Sequence, residues 1–169
     1  IKKINTSTME FETDLDTFKA DAASVIPAQQ AGRIAMNAGV NKGDWCPIVP
    51  ASMQSQADEN IYVLGDASIA KSMPKSGFSA NSQAKVAANH IRGSLTGSKV
   101  FAPRFANTCW SLVATNDGIK VGANYDAKPD KINKTSGFIS KKGEDSNLRK
   151  ATYEESIGWY SGITSDMFS

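Results

Sequence analysis

The junction between residues 61 and 92 narrows the fold more than any other stretch of the chain. Ile61-Tyr-Val-Leu64 is a short apolar run rich in strand formers, and it stops abruptly at Gly65-Asp66. The segment from Ala67 to Gly77, which holds Pro74, reads as an irregular connection. A helix is predicted from about Ser79 to Arg92, with Gly93 or Gly97 able to close it. Its stripe of Ala80, Ala84, Ala87, Ala88 and Ile91 is made mainly of small side chains, so the helix can approach a sheet or a ligand closely. A strand, a Gly-Asp corner and a helix in succession point to an α/β arrangement.

The flanking segments are mixed in period. Met9 to Leu15 alternates apolar and acidic residues, the pattern of a strand with one wet face, and Asp14 to Asp16 reads as a turn. A return through Phe18 leads to Ala22-Ala-Ser-Val-Ile26, predicted as a short buried strand. Pro27 then opens a predicted helix with Ala31, Ile34, Ala35 and Ala38 at helical spacing and Gly39 at its end, and 39–58 reads as loop. After about residue 98 the composition changes. Trp110 to Ala114 and Ile119 to Tyr125 read as two strands joined through Asn116-Asp117-Gly118, a hairpin signal. Between 128 and 150 stand seven basic residues and three acids, read as a solvated loop or, alternatively, a surface that steers an acidic partner. A last helix is predicted from Thr152 and Glu155 as a capping box, followed by Tyr153, Ile157, Tyr160 and Ile163.

Composition removes several chemistries. A chain of 169 residues suits one ordinary domain or two small ones. Its net charge of +2 is too balanced to argue for a nucleic-acid or membrane-surface partner, and no apolar run approaches a membrane span. One histidine and two cysteines cannot build a structural zinc site, so no metal is expected. His90 is assigned no catalytic work. Cys46 is read as structural, and a Cys46–Cys109 bridge stays open. Cys109 fits either a buried small hydrophobe or a redox thiol, and Trp159 either a core stripe or the wall of a ring site.

The junction has a specific chemical use. Glycine lacks a Cβ, so an extended ligand can lie against the backbone, and the Asp66 carboxylate can accept hydrogen bonds from sugar or ribityl hydroxyls. The helix start offers unpaired N–H groups and a positive dipole end, suited to a carbonyl oxygen that gains charge when a ring is reduced. Together they could hold a flavin, although strand-Gly-Asp also occurs at ordinary turns. The run Ile61-Tyr-Val-Leu-Gly-Asp-Ala-Ser-Ile-Ala with Met73-Pro-Lys-Ser-Gly-Phe-Ser-Ala-Asn-Ser-Gln-Ala-Lys-Val-Ala-Ala88 resembles the C-terminal flavin-binding motif of the flavoprotein subunit of flavocytochrome c sulfide dehydrogenase. The resemblance extends to Val25–Ala35, Asp44–Pro47, Asn107-Thr-Cys-Trp-Ser111 and Ser156-Ile-Gly-Trp-Tyr160, and is weakest over Lys128 to Lys150.

That resemblance implies a flavoprotein of the disulfide-reductase-like superfamily that oxidises sulfide and passes electrons to a cytochrome c subunit in the periplasm. By position, Gly65 and Asp66 would contact the FAD ribityl and phosphate region, and Lys75, Ser76, Gly77, Phe78 and Ser79 would lie along the isoalloxazine ring. Cys109 would match one half of a redox-active disulfide, and Trp159 an aromatic residue packed near the ring. In the implied reaction, sulfide attacks a disulfide sulfur to give a persulfide, and the resulting thiolate reduces the flavin. The glycines nowhere fall in a G-x-G-x-x-G pattern, so the chain is expected to be the C-terminal part of such a subunit. The partner of Cys109 would then lie in the N-terminal remainder, and the chain alone would bind FAD weakly or not at all and be inactive. Residues 1–97 would complete the FAD-binding domain, and 98–169 would form a small α+β flavin-contacting domain. Two rivals are a sulfide:quinone oxidoreductase-like flavoprotein, which calls for a membrane-seating segment that the final helix does not resemble, and a non-catalytic binding or assembly module that retains the scaffold.

Overall fold

The computed structural model describes residues 1–168, and its contacts divide the chain between Gln30 and Ala31. The first unit is an antiparallel meander of β1 (Lys3–Asn5), β2 (Glu10–Glu12) and β3 (Thr17–Lys19). Its register sets Ile4 opposite Phe11 and Phe11 opposite Phe18, so one apolar row crosses all three strands. The expected turn is present, with the Thr13 hydroxyl accepting from the N–H groups of Leu15 and Asp16. The strand predicted over Ala22 to Ile26 does not form. That run has no pairing partner, and Ile26 is 81% exposed.

The second unit begins with a helix of one turn and a half, α1 (Arg33–Asn37), well after Pro27. Ala31 and Ala35 are buried as expected, but Ile34 is 85% exposed, because so short a helix presents too narrow a face to cover it. Gly39 ends it at φ +67°. Residues 40–73 carry no long element, yet they bury Val40, Cys46, Ile48, Met53, Val63, Ala70 and Met73. The strand predicted at Ile61–Leu64 is reduced to a single antiparallel bridge between Gln54 and Tyr62, flanked by bonds from Ser55 N–H to Ile61 O and from Val63 N–H to Met53 O. The facing segment turns away too soon for a ladder to grow. The chain then makes one 3₁₀ turn, Gly65–Ala67.

Helix α2 (Gly77–Thr96) starts two residues before the predicted position and runs to Gly97, which closes it at φ +66°. Gly93 lies inside the helix instead, where an added Cβ would stand 2.2 Å from Val100 Cγ2. The buried face is Ser79, Gln83, Val86, Ala87 and Gly93, so polar side chains share the seam assigned to alanines, and Ala88 is exposed.

The second sheet has the order β4 (Arg104–Ala114), β5 (Asp117–Ala127) and β6 (Ile132–Ile139), all antiparallel. The β4–β5 hairpin turns where predicted, with Asn116 at φ +59°. The basic stretch is not simply loop: β6 occupies part of it as an edge strand anchored by buried Ile132. Helix α3 (Ser146–Phe168) starts before Thr152. Asp145 caps it, its carboxylate accepting from Asn147 N–H at 2.8 Å, and Thr152 is buried mid-helix, so the predicted capping box is not the start. α2 packs on β4 and α3 on β5, giving the α+β mixture expected for the C-terminal part.

Candidate functional site

The site is built around the first turn of α2. Gly65 adopts φ +67°, a conformation that favours glycine, and its N–H donates to Gln83 Oε1 at 2.7 Å. Gln83 is 1% exposed, and its amide nitrogen reaches the Met73 sulfur at 3.7 Å. The Asp66 carboxylate is exposed, while its carbonyl oxygen accepts from the Lys75 ammonium. Lys75 also donates to Ser68 O at 3.3 Å and stands 3.6 Å from the Trp45 ring centroid. Burial holds the Lys75 ammonium below the usual lysine range, an effect that Asp66 and Cys46 oppose. The buried Cys46 thiol is pushed up by burial, with Lys75 opposing. Trp45, Gly65, Ser68, Met73, Lys75 and Gln83 edge a cleft of about 190 Å³.

One residue further along, the site crosses to the sheet. Ser76 caps α2, its hydroxyl accepting from Ser79 N–H at 3.2 Å. The Ser76 and Ser79 hydroxyls both donate to Asn107 Oδ1, at 2.5 and 3.1 Å. Asn107 is 4% exposed, and its Nδ2 donates to Cys109 Sγ at 3.6 Å. Cys109 is an exposed free thiol, Cys46 a buried one, and no bridge joins them.

Aromatic rings complete the arrangement. Phe78 stacks on Trp159 with centroids 5.5 Å apart and planes 16° from parallel, and Trp110 lies 5.9 Å from Phe78 and 5.5 Å from Trp159. The Trp110 indole N–H is sealed from solvent with no acceptor. Gly77 exposes backbone beside this cluster, where an added Cβ would stand 3.9 Å from Trp159.

The structure therefore brings the expected residues to one helix start. Gly65, Asp66 and Lys75 lie on its cleft side, while Ser76, Ser79 and Cys109 are joined through Asn107. Gly77, Phe78 and Trp159 form the aromatic side. Three contributors were not singled out from the sequence: Gln83, Asn107 and Trp110. His90 lies away from this group, hydrogen-bonded to the Tyr62 hydroxyl at 2.8 Å.

Residues 101–168 match the family model described as flavocytochrome c sulphide dehydrogenase, flavin-binding. This segment is similar to that family's flavin-binding domain. The flavocytochrome c sulphide dehydrogenase flavin-binding segment contains Cys109, Trp110 and Trp159, and the α2 start is tied to it by the Ser76–Asn107 bond and the Phe78–Trp159 stack. The residues present fit a flavin. The N–H groups of Gly77 and Phe78, at the first positions of α2, have no acceptor within the helix, and they stand beside an apolar wall of stacked rings. Among the described residues, no helix is long and apolar enough to cross a membrane.

Proposed function

We propose that the chain is part of the flavoprotein of an FAD-dependent sulfide dehydrogenase, a periplasmic assembly that oxidises sulfide and passes electrons to a cytochrome c subunit. The observation that carries this reading is the convergence on one helix start: an accessible cysteine sulfur, the free N–H groups of Gly77 and Phe78, and a ring wall, within or bonded to a flavin-binding segment. When bound, FAD supplies an acceptor for two electrons that can leave one at a time. Gly65 and Asp66 would hold its ribityl and phosphate region, the Asp66 carboxylate accepting from hydroxyls. Lys75 through Ser79 would line the isoalloxazine, with the α2 N–H groups and dipole favouring charge on its carbonyl edge. Trp159 and Phe78 would exclude water from that edge. Cys109 would act as one half of a redox pair with a cysteine of the N-terminal remainder of the flavoprotein.

An absorption spectrum tests this on the purified chain, alone and after adding FAD and the N-terminal half. A flavin band that survives gel filtration in the mixture supports the reading. No band in either sample overturns it and favours an assembly module that keeps the scaffold without the cofactor.

A further inference from the structure

We propose that Asn107 is the positioning residue of the Cys109 sulfur, its amide locked by α2 so that an N–H donor faces the thiolate. The inference rests on the reading of Cys109 as the reacting sulfur. A side-chain amide has an acceptor end and a donor end, and its neighbours decide which way it points. Here two hydroxyls, Ser76 at 2.5 Å and Ser79 at 3.1 Å, converge on Oδ1. The Ser76 oxygen already accepts from Ser79 N–H, so its own proton is free to donate to Asn107. The acceptor end is thus held by two hydroxyls, the Cys109 sulfur stands farther from it at 4.0 Å, and the amide nitrogen is the nearer end to that sulfur at 3.6 Å. The flipped amide would turn its oxygen lone pairs toward a negative sulfur.

The bond gains strength when the sulfur is ionised, because a charged acceptor roughly doubles a hydrogen bond. Burial of Asn107 and Ser79 keeps water from the hydroxyl–amide bonds that fix the donor, while the Cys109 sulfur itself is exposed. The chain of donors also starts at the positive end of α2, running from Ser79 N–H through Ser76 and Asn107 to Cys109. Charged groups on the elements packed around β4 are engaged elsewhere: Lys120 with Glu155, Arg149 with Asp117, Lys85 with Asp166, and Lys75 with the carbonyls of Asp66 and Ser68. Tyr125 shares the Asn107 face of the sheet, its phenol pushed up by burial and by the Cys109 charge. Among the described residues, the hydrogen-bond donor recorded at this sulfur is the neutral Asn107 amide.

The test is site-resolved alkylation of Cys109 by iodoacetamide at neutral pH, followed by mass spectrometry on the purified chain. Asn107→Asp keeps the side-chain shape and replaces the donor by a carboxylate, and the rate is expected to fall by about tenfold or more, the scale of one lost hydrogen bond to a charged group. An unchanged rate in a variant with native circular dichroism overturns the proposal. A second measurement uses the wild-type chain, so it does not depend on the variant folding. The Asn107 side-chain NH₂ resonances should move with the ultraviolet thiolate absorbance as pH rises, and should stay still in Cys109→Ser. Resonances that ignore the thiolate would show that Asn107 only ties α2 to β4. Neither measurement involves flavin, so absence of a flavin band in the mixing experiment leaves this result readable.

Discussion

The main-chain N–H of Gly65 donates to the side-chain oxygen of Gln83 at 2.7 Å, fastening the 3₁₀ turn to the buried face of α2. Gln83→Leu fills similar volume but strands that donor. The expected cost is about 1–3 kcal/mol, read as a lower denaturant midpoint at unchanged slope. Gly65→Ala is expected to cost about 1–2 kcal/mol through the left-handed backbone, since its Cβ would meet Ala80 only at ordinary contact distance, 3.4 Å. An undisturbed midpoint in Gln83→Leu would show that the bond does not hold the turn.

Cys46 and Lys75 give the fold opposite responses to alkali. The Cys46 thiol titrates higher folded than unfolded, chiefly through burial, so its stabilisation is complete below the unfolded value of about 8.5 and is lost as pH rises through the folded one. Lys75 titrates lower folded than unfolded, again chiefly through burial, so the unfolded chain binds more protons between the folded value and about 10.4, and stability rises with pH there. Relative to the wild-type curve, to which the raised Tyr125 phenol also adds a fall, Cys46→Ala should therefore shift the alkaline slope upward and Lys75→Gln should shift it downward. Urea unfolding at a series of alkaline pH values measures both slopes, and equal slopes in the two variants would contradict the assignment.

Trp159 closes the ring cluster from α3, stacked on Phe78 of α2 and 5.5 Å from Trp110 of β4. Trp159→Ala is expected to cost about 2–4 kcal/mol, and because Trp159 is only half-buried the lower end applies. Near-ultraviolet circular dichroism should lose most of its tryptophan signal as Trp110 is released, while Trp159→Phe should keep part of it. A thermal midpoint unmoved by the alanine change would mean that the three rings are neighbours without mutual support.

What the sequence discloses follows the range of the forces involved. The β4–β5 hairpin and the end of α2 at Gly97 are legible because turn and cap chemistry are local. Strand β6 is not, because Asn133, Lys134, Thr135, Ser136 and Gly137 separate Ile132 from Phe138 and Ile139, and it pairs only once β5 offers an edge. At α3 the capping signal read at Thr152 misplaces the start: Asp145 caps the helix, and Thr152 lies buried inside it, where its backbone passes Gly118. In the site, Cys109, Gly65, Asp66 and Lys75 to Ser79 are given roles by resemblance, whereas Gln83 and Asn107 lie inside the resembling runs with no role assigned. Each is a polar residue whose buried partners come from another element.

The seat of α3 on the sheet turns on one missing methyl. A Cβ on Gly118 would stand 2.8 Å from the Tyr153 nitrogen and 3.0 Å from its Cα, and both are backbone atoms that cannot rotate aside. Gly118→Ala must therefore push α3 off β5 or bend the strand, an overpacking cost of about 1–3 kcal/mol. Because Trp159 rides on α3, the displacement should also open its stack on Phe78, so the change in near-ultraviolet signal should resemble that of Trp159→Ala. Glycine at 137 is a control, since its Cβ would meet the far end of the Lys134 side chain, which can swing away. Equal losses of stability for alanine at 118 and at 137 would mean that the close approach of α3 does not set the geometry of the ring cluster.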